Sequence, residues 1–493
     1  MPSWKPKLTA KNIIVVVILT VIFSVSAIQL INIPRIFFDE GITIEVARNF
    51  ELFGVPDIVT APGQFSGFPY IQGSSGFPVT VPLAGFFKVF GFGFTQARIY
   101  ALLWLFIFFA TVWFFVKNLW NTAYATGAIA LIAGFASLYD SGRRAMGDIP
   151  GLALLLLGLI LLLKKDRPYL AGIFFGLAVA AKPSVYLLII PALILSYIIA
   201  DWRHSFRKLL TIGAGAAVPI IFWILFQFPQ PWLLSTWRNV FAFYQNAFGS
   251  SYSPWISILQ NIRSFGSQTT LIYFLLLSIP TFFAFKEQLA KKDRLTLFIF
   301  SYGIMDLLYF LKSPGTIRYL LPLELLILLM LPATISWTVK KLQPHLIFVK
   351  NISFRYIWLT TVAGLSILHL IQFLFFSSVV AQNTSHLQTL RYLEQYKTET
   401  IGILSSPQIA AFIDPTRKYH YLLETDQLIF GSNPLDLPQE KLPDVLVMPA
   451  DYASNLPLSG PELKNLGLYT LVFNGKWEIY DLHPHSFAEL TED

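Results

Sequence analysis

Three carboxylates hold most of the chemical potential of this sequence. Asp39 and Glu40 are adjacent in Phe37-Phe38-Asp39-Glu40-Gly41, a few residues after the first long apolar run. Asp148 follows in Arg143-Arg144-Ala145-Met146-Gly147-Asp148-Ile149-Pro150. Acids at the mouth of a membrane helix are costly to desolvate, so they are expected to serve as a proton acceptor, a cation site or the partner of a buried charge. Structural duties compete with that reading. Asp39 could cap a helix over 41–53 and Glu40 favour its dipole, while Asp148 could cap the run beginning at Ile149, with Pro150 in its first turn. Four basic residues are candidate phosphate partners. Arg143 and Arg144 could fork onto a phosphate or pair with the acids, and Lys182 and Arg318 could bind a phosphate or snorkel to headgroups.

The elements that must position these residues are mostly membrane spans. Of 493 residues, 55% are hydrophobic, 16% aromatic and 13% charged, and mean hydropathy is +0.59. Soluble domains hold about 25% charged residues, so the chain reads as an α-helical polytopic membrane protein. Cysteine is absent, which excludes disulfides, thiolate zinc sites and cysteine nucleophiles. Apolar runs predict eleven spans: 12–33, 95–115, 121–138, 149–163, 169–181, 184–200, 209–226, 268–285, 295–311, 318–338 and 356–376. The shortest are 149–163 and 169–181. Lys and Arg concentrate in alternate loops, from Lys5, Lys7 and Lys11 through Lys164, Lys165 and Arg167 to Lys340 and Lys341. The positive-inside rule then places the N-terminus in the cytoplasm and, with an odd span count, the C-terminus outside. The net charge of +8 is thereby read as topology, and nucleic acid is not an expected partner. The first span is too long for an ordinary signal peptide and lacks an Ala-x-Ala site, so it is expected to stay uncleaved.

Residues 1–379 form the expected membrane domain, with long outer loops at 34–94 and 227–267. Within the first loop, 41–53 is amphipathic, with Ile42, Val46, Phe50 and Phe53 on one face and Glu45, Arg48 and Glu51 on the other. Residues 79–90 form a second, more apolar helix. The loop at 227–267 is dense in aromatic residues, which suit either an interfacial belt or a lid over a lipid or sugar. From 380 to 493 the composition changes to strand-like runs at 401–404, 444–448, 469–473 and 477–480, with a helix over 387–396 and a turn at Asn474-Gly475. These predict a small extracytoplasmic α/β domain.

In this order, the motifs resemble the GT-C class of membrane glycosyltransferases, in particular bacterial relatives of protein O-mannosyltransferases and aminoarabinose transferases. The resemblance covers roughly residues 10–340. It rests on Phe38-Asp39-Glu40-Gly41, Gly76-Phe77-Pro78-Val79 leading to Lys88-Val89-Phe90-Gly91, and Gln96-Ala97-Arg98. It continues in the Asp148 segment, in Gly176-Leu177-Ala178-Val179-Ala180-Ala181-Lys182-Pro183 and in Arg318-Tyr319-Leu320-Leu321-Pro322.

The resemblance implies transfer of a sugar from a polyprenyl-phosphate carrier to a lipid, glycan or protein acceptor on the outer face of the plasma membrane. Asp39 is then the expected base, taking the proton of the attacking hydroxyl in one inverting displacement. Glu40 and Asp148 would orient it or hold a divalent cation, magnesium or manganese, against the leaving phosphate. Arg143, Arg144, Lys182 and Arg318 would meet that phosphate. One departure stands out: aminoarabinose transferases carry Lys-Pro-Pro where this chain has Gly76-Phe77-Pro78, which argues against that substrate. The competing class is a lipid or small-molecule transporter, but transporters bury ionisable groups near the midplane, and only Asp306 lies well inside a span.

Overall fold

The computed structural model describes residues 34–67, 75–228, 230–238, 254–265, 269–312, 317–345, 352–379, 385–425, 428–450 and 460–482, with a few isolated positions besides. The predicted first span at 12–33 and the centre of the 227–267 loop lie largely outside the described residues.

Helix α1 (Phe38–Phe53) is followed by a short antiparallel pair, β1 (Val59–Ala61) and β2 (Gln64–Phe65), and by α2 (Phe77–Phe90). The membrane helices are α3 (Phe94–Leu119), α4 (Thr122–Ala133), α5 (Ala136–Gly142), α6 (Asp148–Lys164), α7 (Pro168–Ala181), the single turn α8 (Pro183–Tyr186) and α9 (Ile189–Gln227). After them come α10 (Pro254–Phe265), α11 (Thr269–Ala290), α12 (Arg294–Lys312), α13 (Leu321–Leu342) and α14 (Phe354–Val379). Non-helical geometry at Asp201 divides α9 into two spans.

Among the described residues, seven helices are long and apolar enough to cross a membrane, and the pair α4–α5, bent by 75°, makes an eighth if it is one span. The protein is therefore multi-pass. Helices α6 and α7 fill the predicted spans 149–163 and 169–181 but have 17 and 14 residues. At 1.5 Å per residue they reach only about 26 and 21 Å, short of a hydrocarbon core of about 30 Å. They pack against each other, and α6 also against α3 and α7 against α9, so they form a buried centre whose upper ends carry Asp148 and Lys182.

The C-terminal part begins with α15 (Ser385–Leu393) and builds one six-stranded sheet in the order β5-β4-β3-β6-β8-β7. Strands β3 (Ile401–Leu404), β4 (Tyr419–Thr425) and β6 (Val445–Pro449) are parallel. Beyond them, β5 (Leu428–Phe430) pairs antiparallel with β4, β8 (Trp477–Asp481) antiparallel with β6, and β7 (Thr470–Phe473) antiparallel with β8. The Asn474-Gly475 turn closes the β7–β8 hairpin, as its residue types require. The predicted strands are all present, whereas β4 and β5 went unpredicted.

This sheet is not a separate appendage. Its short helix α16 (Pro407–Ala410) packs on α1. A Cβ added to Gly41 would stand 2.7 Å from the Pro407 carbonyl carbon, a contact open only to glycine. Arg48 donates to the carbonyls of Ala411 and Ile413 at 2.8 and 2.6 Å. The predicted polar face of α1 is accordingly not solvated: Glu45 and Arg48 are buried because the C-terminal domain covers them.

Candidate active site

Helix α1 begins at Phe38, earlier than the apolar pattern indicated, with Phe37 at the N-cap. Asp39 and Glu40 therefore occupy its first turn, where acids suit the helix dipole, and neither is the cap. Successive helical residues point in different directions, and that separates their roles.

Glu40 is fully buried. One of its carboxylate oxygens accepts from Arg98 of α3 at 2.8 Å and from the Phe37 amide at 3.4 Å, and the other accepts from the Ala145 amide at 3.2 Å. Arg98 also donates to the Pro34 carbonyl at 3.0 Å. The expected part of Glu40 in catalysis or cation binding is thus corrected. Its oxygens are committed to tying α1, α3 and the loop before α6 together.

Asp39 faces the other way and remains 22% exposed. Its Oδ2 lies 2.6 Å from Arg318 and 3.8 Å from Lys182. Lys182, 1% exposed, is also 3.5 Å from Asp148 Oδ2. One lysine thus stands between the two predicted acids, 109 residues apart in sequence (148 − 39). Burial alone would raise the Asp39 pKa, but Arg318, then Lys182, and more weakly Arg144 outweigh it and hold the carboxyl below its usual range.

Close backbone approach puts Lys182 there. A Cβ on Gly147 would fall 2.0 Å from the Ala181 carbonyl oxygen, so any side chain at 147 would push the end of α7 away from Asp148. The Gly76 amide donates to the same carbonyl at 3.2 Å, and the Gly147 amide to Ser75 Oγ at 2.9 Å. The motifs around Gly76, Asp148 and Lys182 thereby converge on one point.

The remaining arginines divide. Arg318 lies 4.4 Å over the Phe37 ring and reaches Met146 sulfur at 3.7 Å. Arg144 pairs with Asp140 at 2.7 Å and also covers Phe37, at 4.9 Å. Both flank Asp39. Arg143 instead lies over Tyr139 and Phe373, between α5 and α14. Two contributors escaped the sequence reading. Arg98 belonged to a quoted motif but had no assigned partner. Tyr186, whose hydroxyl donates to the Asp148 backbone carbonyl, carried no signal beyond its place after Lys182-Pro183.

The acids are already engaged by groups of the protein: Glu40 by Arg98 and two backbone amides, Asp39 by Arg318 and Lys182, and Asp148 by Lys182. Among the described residues, no three His, Asp or Glu side chains gather to hold a metal. The arrangement instead offers a cluster of positive groups beside one accessible carboxylate, which suits a phosphate and a proton transfer.

The whole chain superposes on ArnT from Cupriavidus metallidurans in the apo state with a TM-score of 0.62 at 14% identity, covering 96% of this chain and 99% of that one. The chain has the GT-C glycosyltransferase fold. ArnT from the same organism bound to undecaprenyl phosphate gives a TM-score of 0.59 at 15% identity, with the same coverage. Residues 79–226 match the family described as dolichyl-phosphate-mannose-protein mannosyltransferase. That segment of the GT-C fold runs from α2 into the end of α9 and includes Asp148 and Lys182. Among curated proteins no sequence matches.

Proposed function

We propose that the protein is a polyprenyl-phosphate-dependent glycosyltransferase, with the donor phosphate bound by Lys182, Arg318 and Arg144 and with Asp39 as the base. The observation that carries this reading is Lys182 between Asp39 and Asp148. The fold shared with ArnT bound to undecaprenyl phosphate supports the choice of carrier. The acceptor is a hydroxyl compound on the side that bears the C-terminal domain, which the lysine and arginine bias marks as extracytoplasmic, with the N-terminus and an uncleaved first span on the cytoplasmic side.

The geometry suggests how binding readies the base. Without donor, Arg318 and Lys182 spend their charge on Asp39, which keeps it ionised but weakly basic. An arriving phosphate competes for both cations and leaves Asp39 more basic where the acceptor enters. The acceptor oxygen then attacks the anomeric carbon from the face opposite the phosphate. The bond from that carbon to the phosphate oxygen breaks, its electron pair stays on the phosphate, and the hydroxyl proton passes to Asp39. The product is inverted. Lys182, Arg318 and Arg144 stabilise the leaving phosphate in place of the expected divalent cation.

Protein in vesicles with undecaprenyl-phosphate mannose, or its arabinose counterpart, should release undecaprenyl phosphate only when an acceptor is added on the C-terminal side. It should do so equally in chelator. Loss in chelator with recovery in magnesium or manganese would restore the cation. Movement of intact lipid across the bilayer without sugar transfer would replace the enzyme by a transporter.

A further inference from the structure

The base and its cations ride on different parts of the protein. Lys182 follows α7, Arg144 precedes α6 and Arg318 precedes α13, all at the ends of bundle helices. Asp39 sits instead in the first turn of α1, in the long loop before α3. Whatever fixes α1 therefore fixes how far Asp39 stands from Arg318 and Lys182. On the bundle side that is Glu40, held by Arg98. On the side of the C-terminal domain it is Gly41.

A Cβ on Gly41 would meet the Pro407 carbonyl carbon and oxygen at 2.7 Å and the Gln408 amide nitrogen at 2.8 Å. These are backbone atoms, so no side-chain rotation makes room. Residue 41 lies inside a helix, where alanine is favoured over glycine. The glycine thus answers to the closeness of α16 and not to the backbone of α1. Seven residues on, and so on the same face, one nitrogen of Arg48 donates to the Ala411 and Ile413 carbonyls just after α16. Its other nitrogens donate to Asn49 Oδ1 at 3.2 and 3.1 Å, and Asn49 donates to the Asp57 carbonyl at 2.7 Å. Tyr419 of β4 donates to the Val59 carbonyl of β1 at 3.3 Å. The C-terminal domain thereby grips both α1 and the hairpin that follows it.

We propose that the C-terminal domain positions the base: the contact of α16 with Gly41, secured by Arg48, sets the place of Asp39 against Lys182 and Arg318. This assignment rests on the glycosyltransferase reading above. Restoring an ordinary contact of 3.4 Å around an added Cβ parts the two backbones by about 0.7 Å (3.4 − 2.7). A shift of that size disrupts the 2.6 Å bond from Arg318 to Asp39, and misplacements of about 1 Å cost on the order of 10²-fold in rate.

In full-length protein, Gly41→Ala should lower turnover about 10- to 100-fold. Affinity for undecaprenyl phosphate should be unchanged or higher, since Lys182, Arg318 and Arg144 are not on α1. The acid limb of the pH–rate profile should move to higher pH, because Asp39 loses part of the pull of Arg318 and Lys182 that holds its carboxyl below the usual range. Gly85 of α2, where an added Cβ meets nothing within 4 Å, is the control, and Gly85→Ala should change none of these. Arg48→Met should repeat the effect of Gly41→Ala, and Arg48→Lys, which keeps a donor for the two carbonyls, should recover most of it. Turnover that stays normal in Gly41→Ala, or falls with the acid limb unmoved, would overturn the positioning role. So would equal losses of turnover and of undecaprenyl phosphate binding. Should Gly41→Ala fail to fold, the Arg48 pair decides, and equal turnover in Arg48→Met and Arg48→Lys overturns the role. Wild-type protein that transfers no sugar would instead refute the glycosyltransferase reading, and the positioning role with it.

Discussion

The two groups of buried acids differ in one respect, the company of cations. Around Asp39, Glu40 and Asp148 every carboxylate has a positive neighbour: Arg318 and Lys182, Arg98, and Lys182 again. Around Asp306 of α12 and Glu324 of α13, both buried, the described residues supply none. The first group is electrostatically complete before any substrate arrives, so a ligand must compete for its cations. The second offers a ligand no cation. Substitutions in the first group should accordingly cost turnover or stability, because each removes one side of a charge pair.

The sharpest expected effect is Asp39→Asn. The substitution keeps the size of the side chain, and the Thr43 hydroxyl bond to the Asp39 backbone carbonyl at 2.8 Å is untouched. What it removes is the proton acceptor, for a loss of about 10²- to 10⁴-fold in turnover. Undecaprenyl phosphate should bind at least as well, since Arg318 and Lys182 are freed. Asp148→Asn should cost less, because Asp148 is 4% exposed and faces Lys182 rather than the opening. A normal rate in Asp39→Asn combined with a dead Asp148→Asn would exchange the two roles and break the comparison.

Arg98→Met comes next and reads stability. It strands Glu40 as an unpaired buried charge, and breaking such a pair from one side costs about 3–5 kcal/mol. The variant should melt well below the wild type, and adding Glu40→Gln should recover part of the loss by removing the stranded charge. Should Arg98→Met melt normally while turnover falls, Glu40 would return to the reaction.

How much of this was legible in the sequence follows from how local each feature is. The apolar helices within the described residues, the C-terminal strands and the Asn474-Gly475 turn depend on short-range patterns and were readable, whereas the count of eleven spans was not, since the helices at 149–163 and 169–181 are too short to cross. So was the convergence of Asp39, Asp148, Lys182 and Arg318, because ordered motifs at span ends fix which residues share a membrane face. The division of labour between Asp39 and Glu40 was not, since it turns on Arg98 reaching across from α3. Glu45 and Arg48 form a regular polar stripe, and only the distant α16 converts it into an interface. Glu324 gave no signal either: it reads as an acid in the first turn of a helix, and its lack of partners is a property of the packed bundle.

Glu45 supplies the smallest effect and extends the comparison to the junction with the C-terminal domain. It is buried beside Arg48, and its Oε1 accepts from the Val59 amide at 3.1 Å. Burial is the largest influence and raises its pKa from 4.5 to about 7, against the opposing pull of Arg48. The folded protein therefore holds this proton where the unfolded chain has released it. Stability contributed by the group is fully present below about pH 4.5 and is lost as pH rises through about 7. Glu45→Gln mimics the protonated form and should remove that slope. The two proteins should melt alike near pH 4.5 and part by a few degrees above pH 7, with the variant the more stable. Curves that instead part below about pH 4.5, with the wild type falling as pH drops, would mean that Arg48 keeps Glu45 ionised in the folded protein. The junction would then belong with the paired acids of the reaction centre.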